Sequence, residues 1–456
     1  MQKFTTYYFI GIGGIGMSAI ARYFNYKGMT VGGYDRVQNS VTKELADENI
    51  TVVYDDAVAA IPQQFLDKNT TLIVRTPAIA DSHLQLQYFK TNGFTIKKRA
   101  EVLGEITAQT ETICVAGTHG KTTTSTMIAH LLQQSHVKCS AFLGGIANNY
   151  GTNFLLSNQS NYVVVEADEY DRSFHYLSPY FAVITSADPD HLDIYQTAEA
   201  YRQAFEIFTS LIKTGGALLL RKDVKITPQL KKGVKVYTYS MDEKADFYAE
   251  NIRFENGKLL FNFITPTDKI SDVILSVPIK INVENAVAAM AVGCLLGVTK
   301  DELRTGISSF SGIYRRFNIV LQNEKTVFID DYAHHPEELR ASIASIKQLF
   351  PQKRVTGIFQ PHLYTRTRDF ANEFAKGLSQ LDELILLDIY PAREEPIQGI
   401  SSKIIFDKVN IENKTLCTKN ELLPLIQKRD FQVLITLGAG DIEFLVPQIK
   451  EILENK

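Results

Sequence analysis

The sequence is poor in cysteine, with four residues in a chain of 456. Cys114, Cys139, Cys294 and Cys417 lie far apart and form no CxxC pair. This spacing argues against a zinc ribbon and against a disulfide-stapled scaffold, and it fits a reducing compartment.

A strong excess of charge of one sign is also missing. Lys and Arg number 48 and Asp and Glu number 51, so the net charge is −3. This balance argues against a protein that binds nucleic acid electrostatically and against one that binds membranes through a polybasic patch. Neither nucleic acid nor a membrane is therefore an expected partner, and the expected location is the cytoplasm.

Long apolar runs are missing as well. The uncharged stretch at residues 4–21, FTTYYFIGIGGIGMSAIA, contains four glycines and several hydroxyl residues. It predicts a short buried strand that runs into a glycine turn, rather than a signal peptide or a membrane anchor.

Short β-rich runs alternate with helical patterns along the chain. The predicted strands lie in YYFIGIGG, TVGGYD, TLIVRTP, TICVAG, YVVVEAD, FAVITSAD, TVFIDDY, RVTGIFQ, ELILLDIY and QVLITLGAGD. Such alternation predicts an α/β fold with parallel sheets, whose ligand loops lie at the carboxyl ends of the strands. At roughly 100–200 residues per domain, the length predicts three domains. We place them at residues 1–106, 107–313 and 314–456.

A glycine-rich turn links the predicted strand TICVA to a helix. It reads GTHGKT and spans residues 117–122. Backbone N–H groups at such a turn can cradle phosphates, with Lys121 on the β- and γ-phosphates and the Thr122 hydroxyl on Mg²⁺. Val115 stands where the common GxxxxGK[ST] pattern has glycine, so the loop is a shorter variant. An ordinary strand–helix turn is the alternative, which GK[ST] at this junction disfavours.

Acidic residues follow the next two predicted strands. The clusters are EADE at residues 166–169 and DPDHLD at residues 188–193. Carboxylates at neighbouring strand ends near a P-loop can bind Mg²⁺ and orient a γ-phosphate. Solvated loop acids are the alternative reading.

The first predicted strand is followed by a GxGxxG motif. Gly11, Gly13 and Gly16 precede Asp35, which lies nineteen residues beyond Gly16. This spacing is typical of dinucleotide binding, with NAD as its usual ligand. A nucleotide sugar with a diphosphate would use the same amides. A purely structural glycine turn also stays open.

Three further segments lie in the last third of the chain. They are RRF at 315–317, DDYAHHP at 330–336 and FQPHLYTRTR at 359–368. Five of the nine histidines fall inside the motifs described here, namely His119, His191, His334, His335 and His362. Such clustering at strand ends indicates a functional site, although a packing role for Tyr332 or His335 stays open.

Together these segments resemble the Mur ligase family, the ATP-dependent amide-forming enzymes of bacterial cell-wall precursor synthesis. The resemblance extends over nearly the whole chain through GIGGIGMSAIA, GTHGKTTT, EADEYDRSF, DPDHLDIY, YRRF, DDYAHHP, FQPHLYTRTRD and LGAGDI. It implies an N-terminal Rossmann-like domain for a UDP-sugar, a central P-loop ATPase-like domain and a C-terminal Rossmann-like domain for an amino acid.

The resemblance also implies roles for particular residues. ATP would contact Gly117, Thr118, His119, Gly120, Lys121, Thr122, Thr123, Asn282 and Asn285. The UDP-sugar would contact Gly11, Gly13, Gly14, Ile15, Gly16, Asp35 and Thr76. The amino acid would contact Tyr332, His334, His362 and Arg366. Mg²⁺ would be held by Thr122, Glu166 and His191, and the catalytic set would be Lys121, Glu166, His191 and Arg316.

Within the family, GIGGIGMS and FQPHLYTRTRD favour one activity. It is the ATP-dependent joining of L-alanine to the lactyl carboxylate of UDP-N-acetylmuramate through an acyl phosphate, in peptidoglycan precursor synthesis. A ligase that recycles tripeptides onto UDP-N-acetylmuramate, a P-loop NTPase of another role and an NAD-dependent oxidoreductase are the alternatives. The enzyme is expected to be a monomer or a homodimer.

The sequence departs from the family pattern at several positions. Ile279 and Ile281 replace the glycine and histidine of GxHNxxN, which leaves the two asparagines for adenine. Leu363 stands where many relatives have arginine, so carboxylate recognition would fall more heavily on Arg366. The competing role for Arg366 is a surface ion pair with an acid such as Asp369. Ala333 replaces a usual glycine, and the helix AEAYRQAFEIF has no lysine to be carbamylated.

Overall fold

The computed structural model describes residues 4–255, 258–392 and 394–456, apart from the side chains of residues 192 and 193. The chain divides into two compact units, Met1–Val277 with Ile281–Ser311, and Pro278–Lys280 with Gly312–Lys456. The first unit contains two β-sheets and the second contains one, and most of the strand pairs are parallel. The predicted α/β class is therefore confirmed, whereas the exact domain boundaries stay predictions.

The first domain is an open parallel sheet with helices between its strands. Its elements are β1 (Thr6–Ile10), α1 (Ile15–Tyr26), β2 (Thr30–Tyr34), α2 (Ser40–Asp47), β3 (Thr51–Val53), β4 (Thr71–Arg75), α3 (Leu84–Thr91), β5 (Thr95–Lys98) and α4 (Arg99–Ala108). The strand order β3-β2-β1-β4-β5 reverses between β1 and β4. Ligands of open α/β sheets bind at such a reversal, beyond the carboxyl ends of the strands.

The middle domain is built on a larger, mixed sheet. Its strands are β6 (Glu111–Ala116), β7 (Ser140–Ala147), β8 (Thr152–Leu155), β9 (Tyr162–Ala167), β10 (Pro179–Ile184), β11 (Ala217–Arg221), β12 (Lys235–Ser240), β13 (Phe247–Glu255), β14 (Lys258–Ile264) and β15 (Lys269–Leu275). Its helices are α5 (Lys121–Gln134), α6 (Leu192–Tyr195), α7 (Ala198–Ser210), α8 (Ile281–Leu295) and α9 (Lys300–Ser309). A 3₁₀ segment spans Tyr170–Tyr176.

Strand β6 lies inside this sheet, with β10 parallel to it on one side and β9 parallel on the other. The carboxyl ends of all three strands therefore meet at one edge of the sheet. Strands β13, β14 and β15 form an antiparallel meander at one end, and β8 pairs antiparallel with β7 at the other. Sequence reasoning predicted the parallel centre and missed these antiparallel ends.

A buried arginine joins α1 to the middle domain. Arg22 donates hydrogen bonds of 2.8 Å to Glu44 and Glu48, and its remaining nitrogen donates to Asn153 on β8. The amide of Asn153 in turn donates to the carbonyl of Ile15 at 2.6 Å. This network holds the first turn of α1 against β8, and the two domains share one continuous hydrophobic core.

The third domain is a second open α/β sheet. Its elements are β16 (Asn318–Gln322), β17 (Val327–Asp331), α10 (Pro336–Leu349), β18 (Val355–Phe359), α11 (Tyr364–Asp369), α12 (Ala371–Leu378), β19 (Glu383–Leu387), α13 (Lys403–Phe406), β20 (Lys414–Cys417), α14 (Lys419–Gln427), β21 (Val433–Leu437) and α15 (Val446–Glu454). Strands β17-β21-β18-β19-β20 are parallel, and β16 is antiparallel at the edge. The motifs DDYAHHP and FQPHLYTRTR begin in the last residues of β17 and β18 and continue into the loops at the same edge.

Each of the ten predicted strands is present, as β1, β2, β4, β6, β9, β10, β17, β18, β19 and β21. In the described parts of the chain, no helix has the length and apolar character needed to cross a membrane.

A glycine on α4 provides a test of how closely the elements of the first unit pack. A Cβ at Gly104 would lie 2.5 Å from the carbonyl oxygen of Tyr176, closer than real atoms approach. Alanine favours a helix over glycine by about 1 kcal/mol, so an unhindered site would gain stability. We expect Gly104→Ala instead to destabilise this unit by about 1–3 kcal/mol, measured by calorimetric unfolding.

Gly377→Ala on α12 is the matched control, because its nearest neighbour would be a carbonyl oxygen 3.8 Å away. That variant should keep or slightly raise stability. A higher melting temperature for Gly104→Ala would contradict the packing described here.

Candidate functional site

The glycine-rich turn of the first domain lies at the reversal of the strand order. Gly11 has φ +89°, and a Cβ there would lie 2.8 Å from the side chain of Thr76 after β4. The N–H of Gly13 donates to the carboxylate of Asp35 at 2.7 Å. The structure therefore brings together the predicted UDP-sugar residues from the ends of β1, β2 and β4.

The start of α1 is suited to an anion. Gly14 is its N-cap and makes no side-chain capping bond, and the first turn contains no acidic residue. The dipole and free amides of a helix start favour negative charge, and here no side chain of α1 supplies it.

An arginine that sequence reasoning missed lies beside this turn. A Cβ at Gly16 would lie 3.0 Å from Nη1 of Arg99, so the guanidinium covers the first turn of α1. Its Nη2 donates to the carboxylate of Asp168 at 3.2 Å. Arg99 thus links the glycine turn of the first domain to the acidic loop after β9. No local motif marks it, because its importance comes from contacts made in the folded chain.

The GTHGKT loop follows β6 and begins α5 at Lys121, as predicted. Its glycines are required: Gly117 has φ +147° and Gly120 has φ +80°. A Cβ at Gly117 would lie 2.1 Å from the hydroxyl oxygen of Thr185 on the loop after β10. The Thr185 hydroxyl also donates to the carbonyl of His119. The loop is therefore held tightly against the strand beside it.

Lys121 folds back over its own loop. Its ammonium donates to the carbonyl of Gly117 at 2.5 Å and to that of Thr118 at 3.3 Å. It also donates to a carboxylate oxygen of Glu169 at 2.8 Å. Burial raises the pKa of Glu169, and the ammonium beside it opposes that rise.

The two predicted metal-binding acidic loops flank this lysine. Glu166 is the penultimate residue of β9, and its Oε2 lies only 1.9 Å from where a Cβ at Gly144 would be. Glycine at that position on β7 therefore leaves the room that the carboxylate occupies. His191 has φ +51°, and its Nε2 lies 3.9 Å from Glu169 and 3.8 Å from Asp190.

The described residues contain no group of three or more His, Cys, Asp or Glu side chains arranged to hold a metal ion. That finding does not exclude the predicted set, because the set combines one carboxylate and one imidazole with a hydroxyl group. Mg²⁺ commonly takes one or two carboxylates and completes its shell with water and phosphate. The metal roles of Thr122, Glu166 and His191 stay predictions.

The two asparagines predicted to bind adenine are buried at the start of α8. The Nδ2 of Asn285 donates to Oδ1 of Asn282 at 3.1 Å, and Oδ1 of Asn285 accepts from the hydroxyl of Thr124 at 3.0 Å. A Cβ at Gly120 would meet that same oxygen at 3.0 Å. Asn285 therefore bonds to the first turn of α5 and lies close to Gly120 of the phosphate loop, contacts that sequence reasoning did not anticipate.

The third domain, described by itself, gathers its aromatic and basic residues around Tyr332. The guanidinium carbons of Arg315 and Arg316 each lie 5.2 Å from the centre of the Tyr332 ring. Arg315 is buried and donates to Glu443 at 2.8 Å, with Asp330 at 3.3 Å. Arg316 makes neither contact and is the arginine that sequence reasoning assigned to phosphate.

His334 has a defined tautomer in this cluster. Its Nδ1 lies 2.9 Å from the carbonyl oxygen of Tyr332. Because a carbonyl oxygen can only accept, Nδ1 carries the proton and Nε2 keeps a lone pair in the neutral ring. Burial lowers the pKa of His334, which favours that neutral form. The ring centre of His362 lies 6.0 Å away, and His362 stacks on Tyr390.

Arg366 follows these histidines on α11. Its Nη1 is buried and has no hydrogen-bond partner among the described residues. Its neighbour Arg368, by contrast, pairs with Asp369 at 2.7 Å on the surface. The surface ion pair considered for Arg366 is therefore made by Arg368, and Arg366 keeps a donor for another group.

A P-loop between two carboxylate-bearing strand ends, with a second glycine-rich helix start in the same compact unit, defines a multidomain P-loop α/β protein. Three family models match the chain in order. The models described as Mur ligase family, catalytic domain, Mur ligase middle domain and Mur ligase, glutamate ligase domain match residues 6–111, 115–293 and 315–440. The chain belongs to the Mur ligase family.

Relatives of high identity extend over the whole chain. A UDP-N-acetylmuramate--L-alanine ligase of Parabacteroides distasonis is 58% identical over 453 residues, which cover 99% of this chain and 98% of that protein. One of Phocaeicola vulgatus is 55% identical over 451 residues, with 98% of each chain covered.

Solved structures agree in fold. UDP-N-acetylmuramate-alanine ligase MurC of Thermotoga maritima matches with a TM-score of 0.84 and 26% identity over 99% of both chains. A murein peptide ligase of Psychrobacter arcticus matches with a TM-score of 0.71 and 20% identity over 99% of both chains. The second likeness shows the fold alone.

A buried acid at the end of β17, which sequence reasoning assigned no role, gives a pH-dependent prediction. Asp331 accepts from the hydroxyl of Ser342 at 2.6 Å, and burial raises its pKa from 3.8 to about 6. Between about pH 4 and pH 6 the unfolded chain loses a proton that the folded chain keeps. The free energy of unfolding should therefore fall by roughly 3 kcal/mol as the pH rises through this range and stay constant at higher pH.

Asp331→Asn should remove most of that fall in urea-unfolding curves recorded at several pH values. Asp407→Asn, at the exposed residue that follows α13, is the control and should keep it. An unchanged pH profile in Asp331→Asn would assign the effect to other groups.

Proposed function

We propose that this protein is an ATP-dependent ligase that joins L-alanine to the lactyl carboxylate of UDP-N-acetylmuramate. The full-length identity of 58% to a UDP-N-acetylmuramate--L-alanine ligase carries this proposal. The geometry supports it, because the phosphate loop and a second anion-binding helix start lie in one compact unit. The tripeptide-recycling alternative is not favoured, since the murein peptide ligase resembles this chain in fold alone.

The reaction must activate a poor leaving group. A carboxylate oxygen attacks the γ-phosphorus of ATP, the bond to the β-phosphate oxygen breaks, and an acyl phosphate and ADP result. The amine of alanine then attacks the acyl carbon, loses a proton and expels phosphate as the amide forms. Charge neutralisation and alignment dominate such phosphoryl transfers, which is the role proposed for Lys121 and Arg316.

The family implies Mg²⁺, and the residues present fit it. Glu166 offers a carboxylate in the space left by Gly144, and Thr122 and His191 offer a hydroxyl and an imidazole. When bound, the ion neutralises phosphate charge. The proposal includes a cytoplasmic reaction, since ATP supplies the phosphoryl group and the four cysteines are free thiols.

The third domain supplies groups that suit an amino acid. Arg366 has a buried guanidinium nitrogen that no other described residue hydrogen-bonds. A guanidinium matches a carboxylate through two parallel hydrogen bonds. Nε2 of the neutral His334 ring can accept a hydrogen bond from an amine. These residues support binding of alanine by its two ends.

Phosphate release tests the proposed reaction. With ATP and Mg²⁺ present, we expect steady release only when UDP-N-acetylmuramate and L-alanine are both added. Lys121→Ala should lower the rate by about 10²–10³-fold, because it removes a charge that stabilises the transferring phosphoryl group. ATP hydrolysis that proceeds without the sugar nucleotide and does not change on its addition would refute the ligase assignment.

Arg366→Met tests the amino-acid site. A hydrogen-bonded charged group contributes roughly 1.5–3 kcal/mol, so the KM for alanine should rise about 10- to 150-fold while the KM for ATP stays nearly constant. Arg368→Met is the matched control, because Arg368 is half exposed and already paired with Asp369. Normal alanine kinetics in Arg366→Met, or a defect confined to ATP, would remove Arg366 from this site.

A further inference from the structure

A buried carboxylate lies between two groups of the proposed ATP site. Glu169 follows β9 by two residues, and its side chain is only 2% exposed. Both of its carboxylate oxygens lie 2.8 Å from the ammonium of Lys121. Nε2 of His191 is 3.9 Å from the same carboxylate. Sequence reasoning placed Glu169 in an acidic cluster and gave it no role of its own.

The ammonium of Lys121 has no donor to spare. A lysine has three N–H groups, and here they face two loop carbonyls and Glu169. To donate to a phosphate, Lys121 must release at least one of these partners. Glu169 is the only charged partner of the three, so it is the one that competes electrostatically with phosphate.

The position of Glu169 is fixed by its backbone. Its carbonyl accepts from the hydroxyl of Tyr195 and from the N–H of Arg172 at 3.0 Å. Tyr195 is buried. These bonds anchor the main chain of Glu169 beside Lys121, so an arriving phosphate meets an ammonium that is already paired with a carboxylate.

We propose that Glu169 is a positioning residue that holds Lys121 in the phosphate loop and competes with the nucleotide's β- and γ-phosphates for its ammonium. The inference rests on the proposed use of ATP. It explains why the ammonium of Lys121 lies over its own loop, between two carbonyls and a buried carboxylate. It also implies that ADP dissociates more readily than it would if Lys121 had no carboxylate partner.

The test is nucleotide binding by isothermal titration calorimetry, with ADP and AMP as probes. Glu169→Gln keeps the shape and removes the charge, so ADP should bind about 10-fold more tightly, the factor expected for one charge-assisted hydrogen bond. AMP should bind as it does to the wild type, because its single phosphate does not reach the position served by Lys121. ADP should also become a stronger product inhibitor of the ligase reaction by the same factor.

Two variants control for charge and for general disruption. Glu169→Asp keeps the charge and should bind ADP within about twofold of the wild type. Glu199→Gln makes the same charge change on α7, where the side chain is 81% exposed, and should leave ADP binding unchanged. If Glu169→Gln fails to fold, Tyr195→Phe is the alternative variant, because it removes the hydroxyl that donates to the carbonyl of Glu169. It should also tighten ADP binding, but by a smaller factor than Glu169→Gln.

The outcomes separate this inference from the proposed function. A wild-type protein that does not bind ADP would overturn the proposed function. A wild type that binds ADP, together with a Glu169→Gln variant that binds it equally or more weakly, would overturn only the role of Glu169. Equal changes for AMP and ADP would also overturn it, since a distorted loop would affect both.

Discussion

The parallel pairing of β6 with β9 and β10 is the constraint on which the candidate site depends. It brings three strand ends to one edge, so the phosphate loop after β6 lies between the acidic loop after β9 and the loop after β10. The close approach of Thr185 to Gly117 leaves no room for a side chain at position 117. Parallel pairing thus decides both which residues meet and which positions must be glycine.

Much of this arrangement can be predicted from the sequence, because the relevant information is local. The β-rich runs, the glycines and the lysine at the helix start predict strand, turn and phosphate loop in the order in which the structure has them. Continuous apolar runs identify buried parallel strands well. The meander of β13, β14 and β15 was not predicted. Its strands carry no motif, and their apolar and polar residues alternate less clearly.

Residues whose importance lies in distant contacts could not be predicted. Gly144 lies on a strand far from Glu166 in the chain, yet its missing side chain makes room for that carboxylate. Arg99 likewise acts through neighbours that only the folded chain supplies, and so does the contact of Asn285 with Thr124, although Asn285 itself was expected near ATP. The role of Arg366 was implied by the family resemblance, and the structure adds a physical reason, a buried donor with no hydrogen-bond partner among the described residues.

The contact between Arg22 and Asn153 has a consequence for dividing the protein into fragments. A piece that ends near residue 107 would separate the arginine from its amide partner and expose the apolar side of α1 that packs on β7 and β8. Such a fragment would carry a cation and a hydrophobic stripe on the same new surface. Self-association of that fragment is then the natural outcome, and the first two domains are better produced as one piece.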